Sequence, residues 1–499
     1  MSHRKRLAGD EPLLSGSSKR HDRRSLTPRR RPSFPSHHEV PNLSVKIRRL
    51  CDLLATSSAI EESLDKAGIQ ISSEDVEEVL KLSYSHPATA VKFFRWAGPL
   101  LHHRHSPYSW NLIVDLLGKN SLFDAMWDAI RSMHSEGLLS LATFASVFSS
   151  FAAARRPTDA LAAFDVLESY GVRQDTTALN SLLSALSREG FTDAASDFLR
   201  RISLRIPPDA DSYAILLEGL ENERDSRSAR EVFDEMIVRI GWEPMNIPAY
   251  DSFLNTLLYH SSGKLDEALR WLHKMKGQNC FPGMKFLRNA INECVKLRDS
   301  RAAILLWDSL VGKNGLQPDT RIYNSMISLY CHRNQLDVAF QFLDEMVLHG
   351  AFPDSDTYNL MLHYVIKNKN LQELSALFIE MVKNELPPSP ANCESTMKLL
   401  LDSKEWDMAI NLWKIMITNG LAGEEIANSL IMKFCDYDRL PEACKYAEDV
   451  IDRGIKLSSA TLSKLKTILY KLGKGYIYES LFSKWKLVSK DRSIYNHHG

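Results

Sequence analysis

The sequence predicts an all-α fold, a right-handed superhelical solenoid of about ten to eleven helix-turn-helix repeats. Three observations carry this prediction. A landmark residue recurs about every 35 positions, an apolar stripe at helical spacing follows each landmark, and Gly then Pro or Asp punctuates each unit.

The landmark lies four places into each expected helix start. It falls at Trp110, Phe144, Leu179, Tyr213, Tyr250, Leu287, Tyr323, Tyr358, Cys393, Asn428 and Leu462, with gaps of 34 to 37 residues. The following helix carries a small residue at Ala125, Ala160, Ala194, Ala229, Ala268, Ala303, Ala339, Ala409 and Ala443, with Leu374 filling the one gap. Four residues on comes a bulky group such as Phe233, Trp307, Phe378 or Trp413, and seven on comes Met236, Met275, Met346, Met381 or Met416. Spacings of four and seven put all three on one helix face. The small residue allows close helix approach, so the Met and aromatic stripe reads as core and not as a cofactor site.

Glycines at 137, 171, 241, 315, 350, 420 and 454 follow the second helices, where a left-handed terminal residue is favoured. Asp175, Pro208-Asp209, Pro318-Asp319, Pro353-Asp354 and Pro388-Ser389 precede the next first helices. Pro stops one helix, and Asp or Ser caps the next. A lone hairpin of this kind cannot bury its apolar face, whereas a stack can.

Composition narrows the function. No run of about 20 uncharged apolar residues exists, so no membrane-spanning helix is expected. The seven cysteines are odd in number and form no C-x-x-C, which fits a reducing compartment and small buried hydrophobes better than disulfides or zinc. Net charge is zero, but residues 1–36 hold ten Lys/Arg against three acids, leaving 52 basic and 59 acidic groups in the rest. The body is not a polycation, so attraction to phosphate cannot be its main source of selectivity. Segment 1–40 is rich in Arg, Ser, Pro and His without apolar periodicity and reads as a disordered targeting segment. Its basic clusters fit import into mitochondria, with the nucleus or chloroplast as alternatives; Asp10 and Glu11 count against a clean transit peptide.

Segments such as Tyr323-Asn324-Ser325-Met326-Ile327, followed by Leu336-Asp337-Val338-Ala339-Phe340 and Phe342-Leu343-Asp344-Glu345-Met346 and closing on Pro353-Asp354, resemble the pentatricopeptide repeat. The W-x-x-L-G-x-x-Y pattern of the tetratricopeptide repeat is absent. Ten repeats can be drawn, at 107–140, 141–175, 176–209, 210–246, 247–283, 284–319, 320–354, 355–389, 390–424 and 425–458. A helical cap with a partial repeat is expected at 41–106, and a partial repeat, cap and tail at 459–499.

In such a stack the residue after each landmark faces the groove lined by the first helices, and the last residue of the repeat lies beside it. The resemblance implies that this pair meets one unstacked base, and the family is known for reading one base per repeat. Family habit gives Asn with Asp to uracil and Asn with Ser to cytosine. It thus implies uracil for Asn180/Asp209 and Asn324/Asp354, and cytosine for Asn111/Ser140 and Asn359/Ser389. The other pairs depart from these combinations: Ala145/Asp175, Ala214/Asn246, Asp251/Gly283, Arg288/Asp319, Glu394/Glu424 and Ser429/Ser458. Among them Asp175, Asn246, Arg288, Asp319, Ser429 and Ser458 are weaker candidates.

No H-x-E with P-C-x-x-C, no phosphate-binding G-x-x-x-x-G-K-[ST] and no G-x-S-x-G occurs, and the short stretch after the last repeat leaves no room for a nuclease domain. The His102–His105 run reads as an exposed loop. The expectation is a non-enzymatic plant pentatricopeptide protein of the pure-repeat P class, with no metal and no cofactor. Its partner would be single-stranded RNA, with protein partners as an addition and no membrane. Its action would be steric, in organellar transcript stabilisation, end maturation, splicing or translation. The rival readings are a protein-interaction scaffold and an RNA-processing enzyme with an unrecognised site.

Overall fold

The computed structural model describes residues 37–57, 59–102, 104–258 and 264–495, and every regular element among them is helical. All but the last four residues of the basic segment 1–40 lie outside the described residues. The chain divides into two units, Met1–Ala185 and Leu186–Gly499.

In the first unit, helices Val45–Thr56, Ile60–Ala67, Ser73–Lys81 and Pro87–Leu100 precede two hairpins. These are Pro107–Lys119 with Phe123–Ser135, and Leu141–Ala153 with Pro157–Asp165. The second unit is a run of hairpins from Ala210–Glu223 with Ser226–Arg239 to Ser459–Lys471 with Gly475–Tyr495. Within it each first helix packs on its own second helix and on the first helix of the next repeat.

The helix starts follow from capping chemistry. The side chains of Ser106, Asp209, Asp319, Asp354, Ser389 and Ser458 each accept from the amide three residues on, satisfying a donor the helix leaves unpaired. The second helices end as expected: Gly350 (φ 77°) and Gly420 (φ 68°) adopt the left-handed conformation that a side chain disfavours.

The stripe is core. Met236, Met275, Met346, Met381 and Met416 are fully buried, as are Ala229, Ala268, Ala303, Ala339, Leu374, Ala409 and Ala443. Two positions slip by one residue. Ala125 is exposed and Met126 is buried in its place, while Ala195, not Ala194, is fully buried. The landmark tyrosines are buried with their hydroxyls satisfied: Tyr358 Oη donates to Glu380 Oε1 at 3.0 Å and Tyr250 Oη to the Glu243 carbonyl at 2.7 Å. His105, read as part of an exposed loop, is instead packed, its ring stacking on Phe94 at a centroid distance of 3.7 Å.

Candidate nucleic-acid interface

The residue five places after each first-helix cap lies on one face of that helix, and the last residue of the repeat caps the next first helix. This geometry brings the members of a pair together across a repeat boundary. In repeat 320–354, Asn324 Nδ2 donates to Asp354 Oδ1 at 3.3 Å. Asp354 Oδ1 also accepts from the Thr357 amide at 2.8 Å. Thr357 Oγ1 lies 2.6 Å from Asn324 Oδ1 and 2.9 Å from Asp354 Oδ1. Its single proton serves one acceptor at a time. Burial raises the Asp354 carboxyl, but hydrogen bonds from Thr357 and Asn324 more than offset this and hold it below the ordinary carboxylate range.

The same anchoring recurs. Asn111 Oδ1 accepts from Thr143 Oγ1 at 2.7 Å. Asn359 Oδ1 accepts from the Ser389 amide at 2.7 Å and from Asn392 Nδ2 at 3.0 Å. In each case the amide oxygen is tied to the first turn of the next repeat. The anchoring residues Thr143, Thr357 and Asn392 were missed by sequence reasoning. Their signal was present as the capping pattern Ser or Asp followed three residues later by Thr or Asn.

One sequence expectation is corrected. Helix Glu424–Asp436 is capped by Gly423, so its fifth position is Asn428 and not Ser429, and Glu424 is the first helical residue and not the last of its repeat. Asn428 Oδ1 accepts from the Ser458 amide at 2.8 Å and from Thr461 Oγ1 at 2.7 Å, the arrangement seen at the other asparagines. Fully buried Ala427 is the true landmark. The side chain opposite Glu394 is therefore absent, the partner being Gly423.

The remaining candidates differ. Asp175 and Asp209 cap the next helix, accepting from Ala178 at 2.9 Å and Ser212 at 2.8 Å. Asn180 is half-buried on helix Thr176–Arg188. Asn246 is buried. Arg288 donates to Asp319 Oδ2 at 2.8 Å. Asp251 is buried and accepts from the Gly283 amide at 2.6 Å; burial pushes its carboxyl up to about 6, against the effect of the Gly283 and Phe286 amides.

Along the first helices, steps of four and eight from the pair position continue the same face. Eight on stand Lys296, His332 and Lys367 in repeats 284–389, then Asp402 and Asp436. Lys433 neutralises Asp402 at 2.7 Å, and Lys464 pairs with Asp436. His332 is held below the ordinary imidazole range by burial and by Arg298, Lys367 and His363, which marks a positive cluster there. The face can therefore offer amide and carboxylate groups to base edges and cations to phosphates. No described helix is long and apolar enough to cross a membrane.

A family model described as PPR repeat matches residues 108–138, 177–204, 211–239, 258–280 and 356–386, and one described as PPR repeat family matches 318–363. A mitochondrial pentatricopeptide repeat-containing protein of Arabidopsis thaliana is 29% identical over 188 residues, covering 37% of this chain and 36% of the relative. A second from the same plant, also mitochondrial, is 32% identical over 200 residues, again 36% of its length. A third is 25% identical over 402 residues, covering 80% of this chain and 69% of the relative. The chain thus spans about a third of the first two relatives. Among solved structures, the pentatricopeptide repeat protein PPR10 from maize aligns over 89% of this chain and 73% of its own, with TM-score 0.32 and 16% identity. Yeast Rmd9p in complex with a 16-nucleotide target RNA aligns over 89% and 96%, with TM-score 0.36 and 12% identity.

Proposed function

The chain belongs to the pentatricopeptide-repeat family, and on that premise we propose that it binds single-stranded RNA sequence-specifically, one base per repeat, in plant mitochondria. The observation that carries this reading is the recurring anchor at Asn111, Asn324, Asn359 and Asn428. An amide already fixed through its oxygen loses little freedom when a base edge docks beside it, and preorganisation of this kind favours binding. Asn324 with Asp354 reads uracil, and Asn359 with Ser389 and Asn428 with Ser458 read cytosine. Asn111 with Ser140 also reads cytosine. Lys296 and Lys367 meet phosphates.

The RNA runs 5′ to 3′ with the chain. The contiguous repeats 320–458 then select U-C-N-C, where N faces Glu394 and Gly423. The chain acts by occupancy: a bound strand is shielded from exonucleases and kept from folding. We place it in the pure-repeat P class, with no catalytic role, and the capping groups as readers in place of a nuclease site.

The test is an electrophoretic titration of the purified chain with a single-stranded RNA containing U-C-N-C and with the same RNA annealed to its complement. Binding of the single strand and much weaker binding of the duplex is expected, because the pairs need unstacked bases. Equal affinity for both contradicts base reading. Cleavage of the single strand during the titration contradicts the steric mechanism.

A further inference from the structure

We infer that the three consecutive repeats spanning 210–319 select no base, so that the three nucleotides immediately 5′ of the U-C-N-C tract are held without regard to sequence. The inference rests on the base-reading proposal above and names the part of the groove where reading is closed.

Three separate features close it. In repeat 210–246 the groove position is Ala214, which offers a methyl group only, and the last residue, Asn246, is buried with its Nδ2 lacking a hydrogen-bond partner. A base cannot reach an amide that the fold encloses. In repeat 247–283 the groove position, Asp251, is 6% exposed and spends Oδ1 on the Gly283 amide at 2.6 Å. Gly283 has no side chain, and a Cβ there would stand 2.7 Å from Ile247 Cγ2 and 3.1 Å from Asp251 Oδ2. This repeat therefore has no room for a reading side chain at its last position.

The third feature is an ion pair that skips a repeat. Lys285 Nζ lies 2.7 Å from Glu221 Oε2, joining the first helix of repeat 284–319 to that of repeat 210–246. Repeat 247–283 intervenes between them, and Asp251 feels the charge of both partners. The Glu221 side chain is 8% exposed, so the pair is half inside the protein. It bridges the first-helix layer near enough for its charges to act on the buried Asp251. In repeat 284–319 the last-position carboxylate, Asp319, is engaged by Arg288, whose guanidinium carries donors and no acceptor. Three neighbouring repeats thus lack the acceptor-and-donor amide present at Asn324, Asn359 and Asn428.

The experiment is competition binding of the full chain to single-stranded RNAs that keep U-C-N-C and vary each of the three preceding nucleotides through all four bases. Affinities within about twofold are expected for every such change, against losses of about tenfold when the U or either C is replaced. Discrimination of fivefold or more at any of the three positions overturns the inference while leaving base reading intact. Loss of discrimination within U-C-N-C itself overturns both. A gain-of-preference variant completes the test. Arg288→Asn sets an amide beside Asp319, the combination found at Asn324 and Asp354. It changes a half-exposed side chain, so the thermal midpoint is expected to stay close to that of the wild type. The variant is expected to acquire a preference of fivefold or more for uracil at the nucleotide just 5′ of the tract. An indifferent Arg288→Asn variant contradicts the assignment of closure at that repeat to the Arg288–Asp319 pair.

Discussion

A threonine hydroxyl three residues into a helix holds the asparagine of the preceding repeat in place. Thr357 is fully buried, and its hydroxyl is shared between Asn324 and Asp354. Thr357→Val keeps the shape and removes the anchor. We expect a several-fold loss of affinity for RNA carrying U-C-N-C, a weaker preference at U alone, and about 1 kcal/mol of lost stability, read from RNA titrations and urea midpoints. An unchanged uracil preference contradicts the anchoring role. Asp251 makes a second prediction. Its folded-state carboxyl is raised from 3.8 to about 6, so the folded protein holds this proton more tightly than the unfolded chain. Its contribution to stability is therefore full below about pH 4 and is lost as pH rises through about 6, by up to about 3 kcal/mol. Asp251→Asn is expected to flatten that part of the pH profile relative to wild type, as measured by urea denaturation between pH 4 and 7. A parallel profile contradicts the burial argument. At this scale the pattern of asparagines was legible in the sequence. The closure of Asp251 was not, since it lies among groups brought together from afar: Lys285 and Glu221, whose charges it feels, stand 64 residues apart.

The hairpin is the unit in which spacing becomes packing. Gly118 shows how tight the fit is: a Cβ added there would lie 2.2 Å from Ser150 Oγ and 2.6 Å from Ser150 Cβ on the neighbouring first helix. Gly118→Ala is expected to cost about 1–3 kcal/mol through overpacking, and combining it with Ser150→Gly to recover a large part. Calorimetry on both single variants and the double variant measures this coupling, and strict additivity contradicts it. The second-helix terminators were legible because glycine there has one conformational reason. The turns inside the hairpins were not. Ser121, Arg155, Arg224, Arg298, Lys369 and Lys404 all take positive φ although none is glycine or asparagine. The slip at Gly423 was not legible either, because Asn428 fits the landmark spacing as well as Ala427 does and only capping geometry separates them.

Over the whole molecule, charge and repeat order decide what is bound. Beyond residue 36 the chain holds 52 basic and 59 acidic groups, so bulk attraction to phosphate is weak, and under the proposed RNA-binding role specificity comes from base edges. The basic residues gathered before position 37 serve import on this account. A fluorescent fusion of residues 1–70 is expected to collect in mitochondria, and collection in nuclei alone contradicts that assignment. The central claim, that a repeat carrying asparagine at its fifth position reads one base through that residue and the following cap, is tested most directly at Asp354. Serine caps a helix about as well as aspartate, so Asp354→Ser changes the reading group while keeping the fold. Repeats touch only their neighbours, so the effect stays local. Selection from a random single-stranded RNA pool with wild type and Asp354→Ser is expected to enrich U at that base with the first and C with the second, leaving every other selected position unchanged. Enrichment of the same base by both proteins contradicts the account.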